Sequence, residues 1–320
     1  MPPAILHSAE AWAEYFGKNR NHTAVTIGNF DGVHLGHQEI LRGVLARARQ
    51  FGLMSAVLTF YPHPARVLRP AQAPALLETL EQRLSAIEAM GIEAALVTRF
   101  DEELAKLGPE DFVRRFLADA MRAQSVLIGA NFRFGHRQAG NAELLVTLGA
   151  KWGFETVVVP PVVEGGIVVS STAIRNALRN GEIEQAERML GRPFSLAGTI
   201  TAGTGQGRKL VVSTLNLSTE QELLPQDGVY ATEAVVEGKT YRAATNVGVR
   251  PTFDGARRTI ESHLFDFSED LTSGKLEVRF RKRLRDEQKF SGPAELRAQI
   301  LRDIEQAKEY FREAASKMAR

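Results

Sequence analysis

Two histidines three positions apart, His34 and His37, sit in the stretch Ile27–His37, IGNFDGVHLGH, with Gly28, Gly32 and Gly36 spaced four apart around them. Imidazoles so placed can donate hydrogen bonds to phosphate oxygens. Glycines beside them let a bulky anion approach the backbone, and a strand that breaks at a glycine and re-enters a helix leaves N–H groups aimed at the turn. The histidine spacing is too short for the zinc-protease pair, and no cysteine or glutamate stands at ligand spacing beside it. Metal binding is therefore the weaker reading of this stretch. A purely architectural one, with histidines capping a helix and glycines making a turn, stands beside phosphate chemistry.

Other chemistry-bearing residues cluster in short segments. His63 lies between Pro62 and Pro64, which would stop a strand there. Asn131 and Arg133 alternate with Phe132 and Phe134, offering an amide and a guanidinium beside two rings that pack or form an apolar wall. Ser170, Ser171 and Thr172 precede Arg175 by about one helical turn. A cation at the positive end of a helix is mildly unfavourable unless an anion lies between them. Further on, Gly203, Gly205 and Gly207 precede Arg208 and Lys209, in a spacing that is not the GxxxxGK[ST] phosphate loop. Thr214 and Asn216 follow, with a hydroxyl and an amide. Glu261 and His263 share one face of a strand, opposite Ile260, Ser262 and Leu264. On composition alone Glu261 is a solvent-facing acid.

These segments need elements to hold them. Apolar runs at Ala24–Ile27, Ser55–Phe60, Ala94–Val97, Ser125–Gly129 and Glu155–Pro160 alternate with helical spacing over Gln38–Phe51, Leu77–Met90, Asp111–Arg122 and Ala139–Trp152. Strand–helix alternation predicts a mostly parallel sheet covered on both faces, with ligands beyond the carboxyl ends of its strands. After Gly181–Pro193 the regime changes to short strands: Phe194–Thr201, Leu210–Thr214, Val229–Val236, Lys239–Val247, Thr259–Phe267 and Lys275–Phe280. Tight turns between them predict a small antiparallel barrel, and the amphipathic run Ala294–Ala314 predicts a helix covering it. Lys275–Arg285 is rich in cations, which alternate with Leu276, Val278 and Phe280 as the outer face of a strand would.

A chain of 320 residues exceeds the usual single core, so two domains are expected, 1–185 and 186–320. The net charge of +2 gives no reason to expect a nucleic-acid partner. With no cysteine there is no disulfide or thiolate nucleophile. The first residues lack the pattern of a secretory signal and no apolar run is long enough to span a membrane, so cytoplasmic residence is expected, without a membrane partner. Oligomeric state stays open.

The stretch G-x-F-D-G-x-H-x-G-H closely resembles the amino-terminal module of bacterial bifunctional riboflavin kinase/FAD synthetases. The Pro62-His63-Pro64, Ala130–Gly135 and Ser170–Arg175 segments match that family in the same order. The resemblance implies an α/β, Rossmann-like nucleotidylyltransferase domain that transfers AMP from ATP to FMN and releases pyrophosphate. It implies His34 and His37 as catalytic residues. Gly28, Phe30, Asp31, Gly32, His63, Asn131, Arg133, Ser171, Thr172 and Arg175 are implied around the nucleotide. The later strands resemble the family's β-barrel flavokinase module with its carboxyl-terminal helix, which phosphorylates riboflavin with ATP. Asn246–Phe253 matches N-x-G-x-R-P-T-F, and Glu261 becomes the expected general base. Gly203, Gly207, Arg208, Lys209, Thr214 and Asn216 are implied for ATP, with magnesium at Thr214, and Arg285 for flavin or nucleotide. The segment GRKLVVSTLNL departs from the family's G-R-x-L-G-F-P-T-A-N-L at Val211, Ser213 and Leu215, which bears on the geometry of the ATP loop. An FAD synthetase with a silent kinase half, or a flavin-nucleotide-binding regulator without catalysis, are the alternatives.

Overall fold

The computed structural model describes residues 4–17, 22–201, 214–252, 255–269 and 271–318. The chain divides into two compact units, Met1–Ser171 and Thr172–Arg320.

In the first unit, β1 (Ala4–Leu6) and α1 (Ala9–Gly17) lead into β2 (Thr23–Ile27), α2 (Leu35–Phe51) and β3 (Met54–Tyr61). Next come α3 (Pro64–Leu68), α4 (Leu80–Ala89), β4 (Ala94–Arg99), α5 (Glu102–Ala105) and α6 (Pro109–Phe112). A π-helical stretch over Val113–Ala120 precedes β5 (Ala123–Gly129), α7 (Ala142–Trp152) and β6 (Glu155–Val159). The two-stranded hairpin of β7 (Val163–Glu164) and β8 (Ile167–Val168) ends the unit. The six-stranded sheet runs β1-β4-β3-β2-β5-β6, with every pair parallel.

Both faces of this sheet are covered, as an all-parallel sheet requires. Val25, Ile27, Ala56 and Leu58 enter a cluster with Trp12, Phe112 and Leu145, whereas Ala24 and Val57 enter another with Leu41, Val44 and Ile87. From β2 the chain winds through β3 and β4 on one side and then crosses back to β5 and β6 on the other, so the strand order reverses between β2 and β5. In open α/β sheets ligands bind beyond the carboxyl ends of the strands at such a point.

Several boundaries differ from the sequence reading for local reasons. The spacing of Leu77–Met90 continues too far back, because Thr79 and Gln82 form a capping box that starts α4 at Leu80. Asn141 likewise caps α7, which begins at Ala142 rather than Ala139. Over Asp111–Arg122 the buried spacing of Phe112, Val113, Phe116 and Leu117 holds, but the Met121 N–H reaches back to Phe116 O, five residues away. Side-chain periodicity does not reveal that change of ladder.

Helix α8 (Ser171–Arg179) begins on the last residue of the first unit, and in the second unit its remainder and α9 (Ile183–Leu190) precede β9 (Phe194–Thr201), β10 (Leu215–Ser218), β11 (Gly228–Val236) and β12 (Lys239–Thr252). They are followed by β13 (Gly255–Leu264), β14 (Lys275–Arg285) and the long α10 (Pro293–Met318). The six strands close into an antiparallel barrel in the order β10-β13-β12-β11-β14-β9. Closure removes free sheet edges. Helix α10 lays Ile304, Ala307 and Phe311 on Ala231, Ala244 and Phe265 of the barrel's outside. Of the expected strand Leu210–Thr214, residues 210–213 lie outside the described residues, and β10 begins just after Thr214.

Candidate active sites

Strand β2 is buried throughout and its successor, the Gly28 N–H, still donates to Leu58 O at 3.1 Å. The turn beyond it is strained: Phe30 (φ 52°), Gly32 (φ 90°) and Val33 (φ 34°) all have positive φ. Glycine tolerates this, whereas the other two residues cost on the order of 1 kcal/mol or more each. Burial offsets that cost, since Phe30 and Val33 are each 1% exposed, in the cluster shared with α2 and α4. Phe30 thus acts from below, its ring 5.1 Å from that of His37.

Asp31 anchors the same turn. Its buried carboxylate accepts from the Leu77 N–H at 2.9 Å and the Glu78 N–H at 3.4 Å, just ahead of α4. Its backbone oxygen accepts from the Ser171 hydroxyl at 2.8 Å. Asp31 therefore ties the turn to two distant segments.

His34 is the N-cap of α2, its Nδ1 accepting from the His37 N–H at 3.3 Å. A neutral ring then carries its proton on Nε2. The His34 and His37 rings stack with centroids 3.7 Å apart and planes 15° from parallel. Rings this close are set against two positive charges unless an anion is near. A Cβ on Gly36 would come within 3.3 Å of the His34 ring, so glycine leaves that ring its place.

The capping and phosphate readings of these histidines are thus compatible, because capping orients the ring. His63 repeats the device beyond β3, capping α3 through Nδ1 from the Ala65 N–H at 3.2 Å. Asn131 and Arg133 are exposed in the turn after β5, while Phe134 is buried and stacks on Phe132. The turn after β2, His63 and Asn131 accordingly lie at the carboxyl ends of three adjacent strands. In the second unit, Thr172 is exposed and Arg175 is buried on α8.

The barrel organises its candidates by strand register. Leu215, Leu217, Ile260, Ser262 and Leu264 are buried, with Asn216, Glu261 and His263 half-buried between them. Asn216 pairs with Glu261 across β10 and β13, and Glu261 pairs with Asn246 across β13 and β12. Directly opposed residues share a face, with Cβ atoms about 4.5–5.5 Å apart. The three side chains therefore form one row on the outer wall, and Thr214 precedes β10 by one residue. In the sequence Asn246 stands out only as part of a motif; register puts it opposite the acid. Inside the wall, Thr232, Thr245 and Ser262 form a buried hydroxyl chain, at 2.6 and 2.8 Å.

Leu215 shares that interior, opposite Ser262, so its bulk is taken up within the barrel. Gly203, Gly207, Arg208, Lys209, Val211 and Ser213 lie outside the described residues. Arg285 forks onto Asp303 of α10 at 2.8 and 2.7 Å and lies 5.9 Å from the Phe290 ring. Its guanidinium is thus engaged between barrel and helix.

The family model described as FAD synthetase matches residues 17–173, and that described as riboflavin kinase matches 190–311. The bifunctional riboflavin kinase/FMN adenylyltransferase of Escherichia coli K12 is 37% identical over 288 residues, covering 90% of this chain and 92% of that relative. That of Buchnera aphidicola from Schizaphis graminum is 34% identical over 298 residues, covering 92% and 96%. A crystal structure described as a macrolide-efflux protein from Streptococcus pneumoniae superimposes with a TM-score of 0.83 at 28% identity, covering 96% of this chain and 99% of that one. Among the described residues of this chain no helix is long and apolar enough to cross a membrane. With both family models matched in order and such relatives aligned over nearly their whole length, the chain belongs to the bifunctional riboflavin kinase/FMN adenylyltransferase family.

Proposed function

We propose that this enzyme phosphorylates riboflavin in its carboxyl-terminal half and adenylylates the FMN so formed in its amino-terminal half, with the division of function at 185/186. The row of Asn216, Glu261 and Asn246 carries the kinase reading. The stacked His34–His37 pair above the Asp31 anchor carries the transferase reading.

In the transferase half, an oxygen of the terminal FMN phosphate attacks the α-phosphorus of ATP and the bond to the departing pyrophosphate breaks. The attacking oxygen is already anionic, so the protein's task is alignment and stabilisation of charge. His34 and His37 donate to the transferring and leaving phosphates. His63, Asn131, Arg133 and Ser171 hold the nucleotide, with Gly28 and Gly32 leaving room for it and Phe30 and Asp31 shaping the turn.

In the kinase half, Glu261 takes the proton of the riboflavin 5′-hydroxyl as its oxygen attacks the γ-phosphorus and ADP leaves. Asn216 and Asn246 flank it. The amide oxygen of Asn216 is a hard donor opposite the Glu261 carboxylate, and Thr214, two residues earlier in the chain, would add a hydroxyl, a donor chemistry that fits magnesium. Bound with ATP, magnesium would neutralise phosphate charge. Arg285, held by Asp303, is proposed to shape the flavin side rather than reach the ligand.

Full-length protein incubated with riboflavin and Mg-ATP tests the whole reading. FMN and FAD should appear in succession. FAD formed only from added FMN would leave a silent kinase half, and binding without either product would remove catalysis from the proposal.

A further inference from the structure

Arg83 has no assigned role, yet it is among the largest side chains with no solvent exposure. It lies on α4 three residues after Leu80 and four before Ile87, on the buried stripe of that helix. None of its three guanidinium nitrogens has a hydrogen-bond partner. Burying an arginine in this way is costly unless opposite charge lies near. Burial pulls its pKa below the ordinary guanidinium value, while Asp31, Glu78 and Tyr61 act in the opposite direction. The segment that holds Asp31 leads directly into Arg83's helix: Leu77 and Glu78 donate to the Asp31 carboxylate, Thr79 caps α4, and the Arg83 N–H donates to Thr79 O at 3.1 Å. Asp31 in turn anchors the strained turn that carries His34 and His37.

We propose that Arg83 is a positioning residue for adenylyl transfer, a buried positive charge that acts through Asp31 to hold the turn and Ser171 in their working geometry. The inference rests on the transferase reading of this half. The ionised Asp31 carboxylate is the stronger acceptor for the Leu77 and Glu78 N–H groups. A nearby cation keeps that buried charge affordable. The same residue's carbonyl receives the Ser171 hydroxyl, so a shift of Asp31 moves both the histidine turn and Ser171.

Because the guanidinium nitrogens make no hydrogen bonds, the charge matters and the fork does not. Lysine should therefore replace Arg83, whereas an apolar residue of similar length should not.

The test uses the full-length enzyme, measuring FAD formation from FMN and Mg-ATP, with FMN formation from riboflavin as an internal control. Arg83→Met should lower kcat for FAD formation by at least about tenfold, with the KM values for ATP and FMN within about threefold of the parent. Arg83→Lys should stay within about threefold of the parent. Asp31→Asn keeps an acceptor oxygen but removes the charge, and adding Arg83→Met to it should cost less than about threefold more. Parent-like FAD formation by Arg83→Met would overturn the proposal, as would losses that multiply in the double variant. If Arg83→Met does not fold, Arg83→Lys decides: folded, active as a kinase and poor at FAD formation, it too would overturn the charge argument. A parent enzyme that forms no FAD removes the transferase reading itself, and is seen before any variant is made.

Discussion

Replacing Arg285 separates an anchor from a ligand contact. Asp303 is 4% exposed, and its oxygens receive Arg285 Nε at 2.8 Å, Arg285 Nη2 at 2.7 Å and Gln299 Nε2 at 2.8 Å. Arg285→Met leaves that carboxylate buried with only the Gln299 amide. Breaking a buried pair from one side costs about 3–5 kcal/mol, and the remaining amide places this case near the lower end. For a unit of roughly 150 residues, about 3 kcal/mol lowers the melting temperature by about 10 °C. The double replacement Arg285→Met with Asp303→Leu removes both charges and should recover most of the loss. Calorimetry of the full-length protein follows both units, while fluorescence of Trp12 and Trp152 reports the first unit alone and should not move. An Arg285→Met protein with an unshifted barrel transition but a raised riboflavin KM would refute this reasoning and make Arg285 a ligand contact.

Replacing His34 or His37 by Ala should reduce FAD formation by about 10²- to 10³-fold with riboflavin phosphorylation unchanged. His34→Asn, which can still cap α2, should restore helix stability without restoring the rate, as paired melting and rate measurements would show. Glu261→Gln should lower kcat for FMN formation by about 10²- to 10⁴-fold with a small change in riboflavin KM; full activity would remove Glu261 as the base. Glu187 is held above the ordinary carboxylate value of 4.5 by burial, which outweighs the opposing Arg281. An acid raised on folding stabilises the protein below its unfolded pKa and loses that contribution as pH rises through the folded value. Relative to the parent, Glu187→Gln should therefore gain barrel stability from pH 4.5 towards neutrality, measured by denaturant melts across that range.

What was legible in the sequence was what depends on neighbours in sequence. The runs ending at Ile27, Phe60 and Gly129 mark strands whose chemistry-bearing segments follow, and the alternation of Ile260, Glu261 and Ser262 gives the two faces of β13. Ala4–Leu6 carries no signal of its own: three residues are too few to show a period, and the edge strand exists because it pairs with β4. The role of Asp31 was hidden for a related reason. Its partners are 46, 47 and 140 residues away, and no local pattern reports them. Arg83 did leave a signal, a charge on the apolar stripe set by Leu80, Leu84 and Ile87, which is the kind of mismatch that marks a buried ion.

The two halves hold their chemistry by different means, and this bears on the altered segment around Thr214. In the transferase half the histidines depend on a strained turn whose position is set by remote hydrogen bonds and burial, so a change at Gly32, Asp31 or Phe30 alters the site directly. In the kinase half Asn216 and Glu261 are placed by the register of a closed barrel. There the pleat separates duties: Leu215 fills the interior while Asn216 faces out. An inward position can depart from the family pattern as long as its volume fits, and the outward donors keep their place. The departure at Leu215 is therefore compatible with a working kinase row.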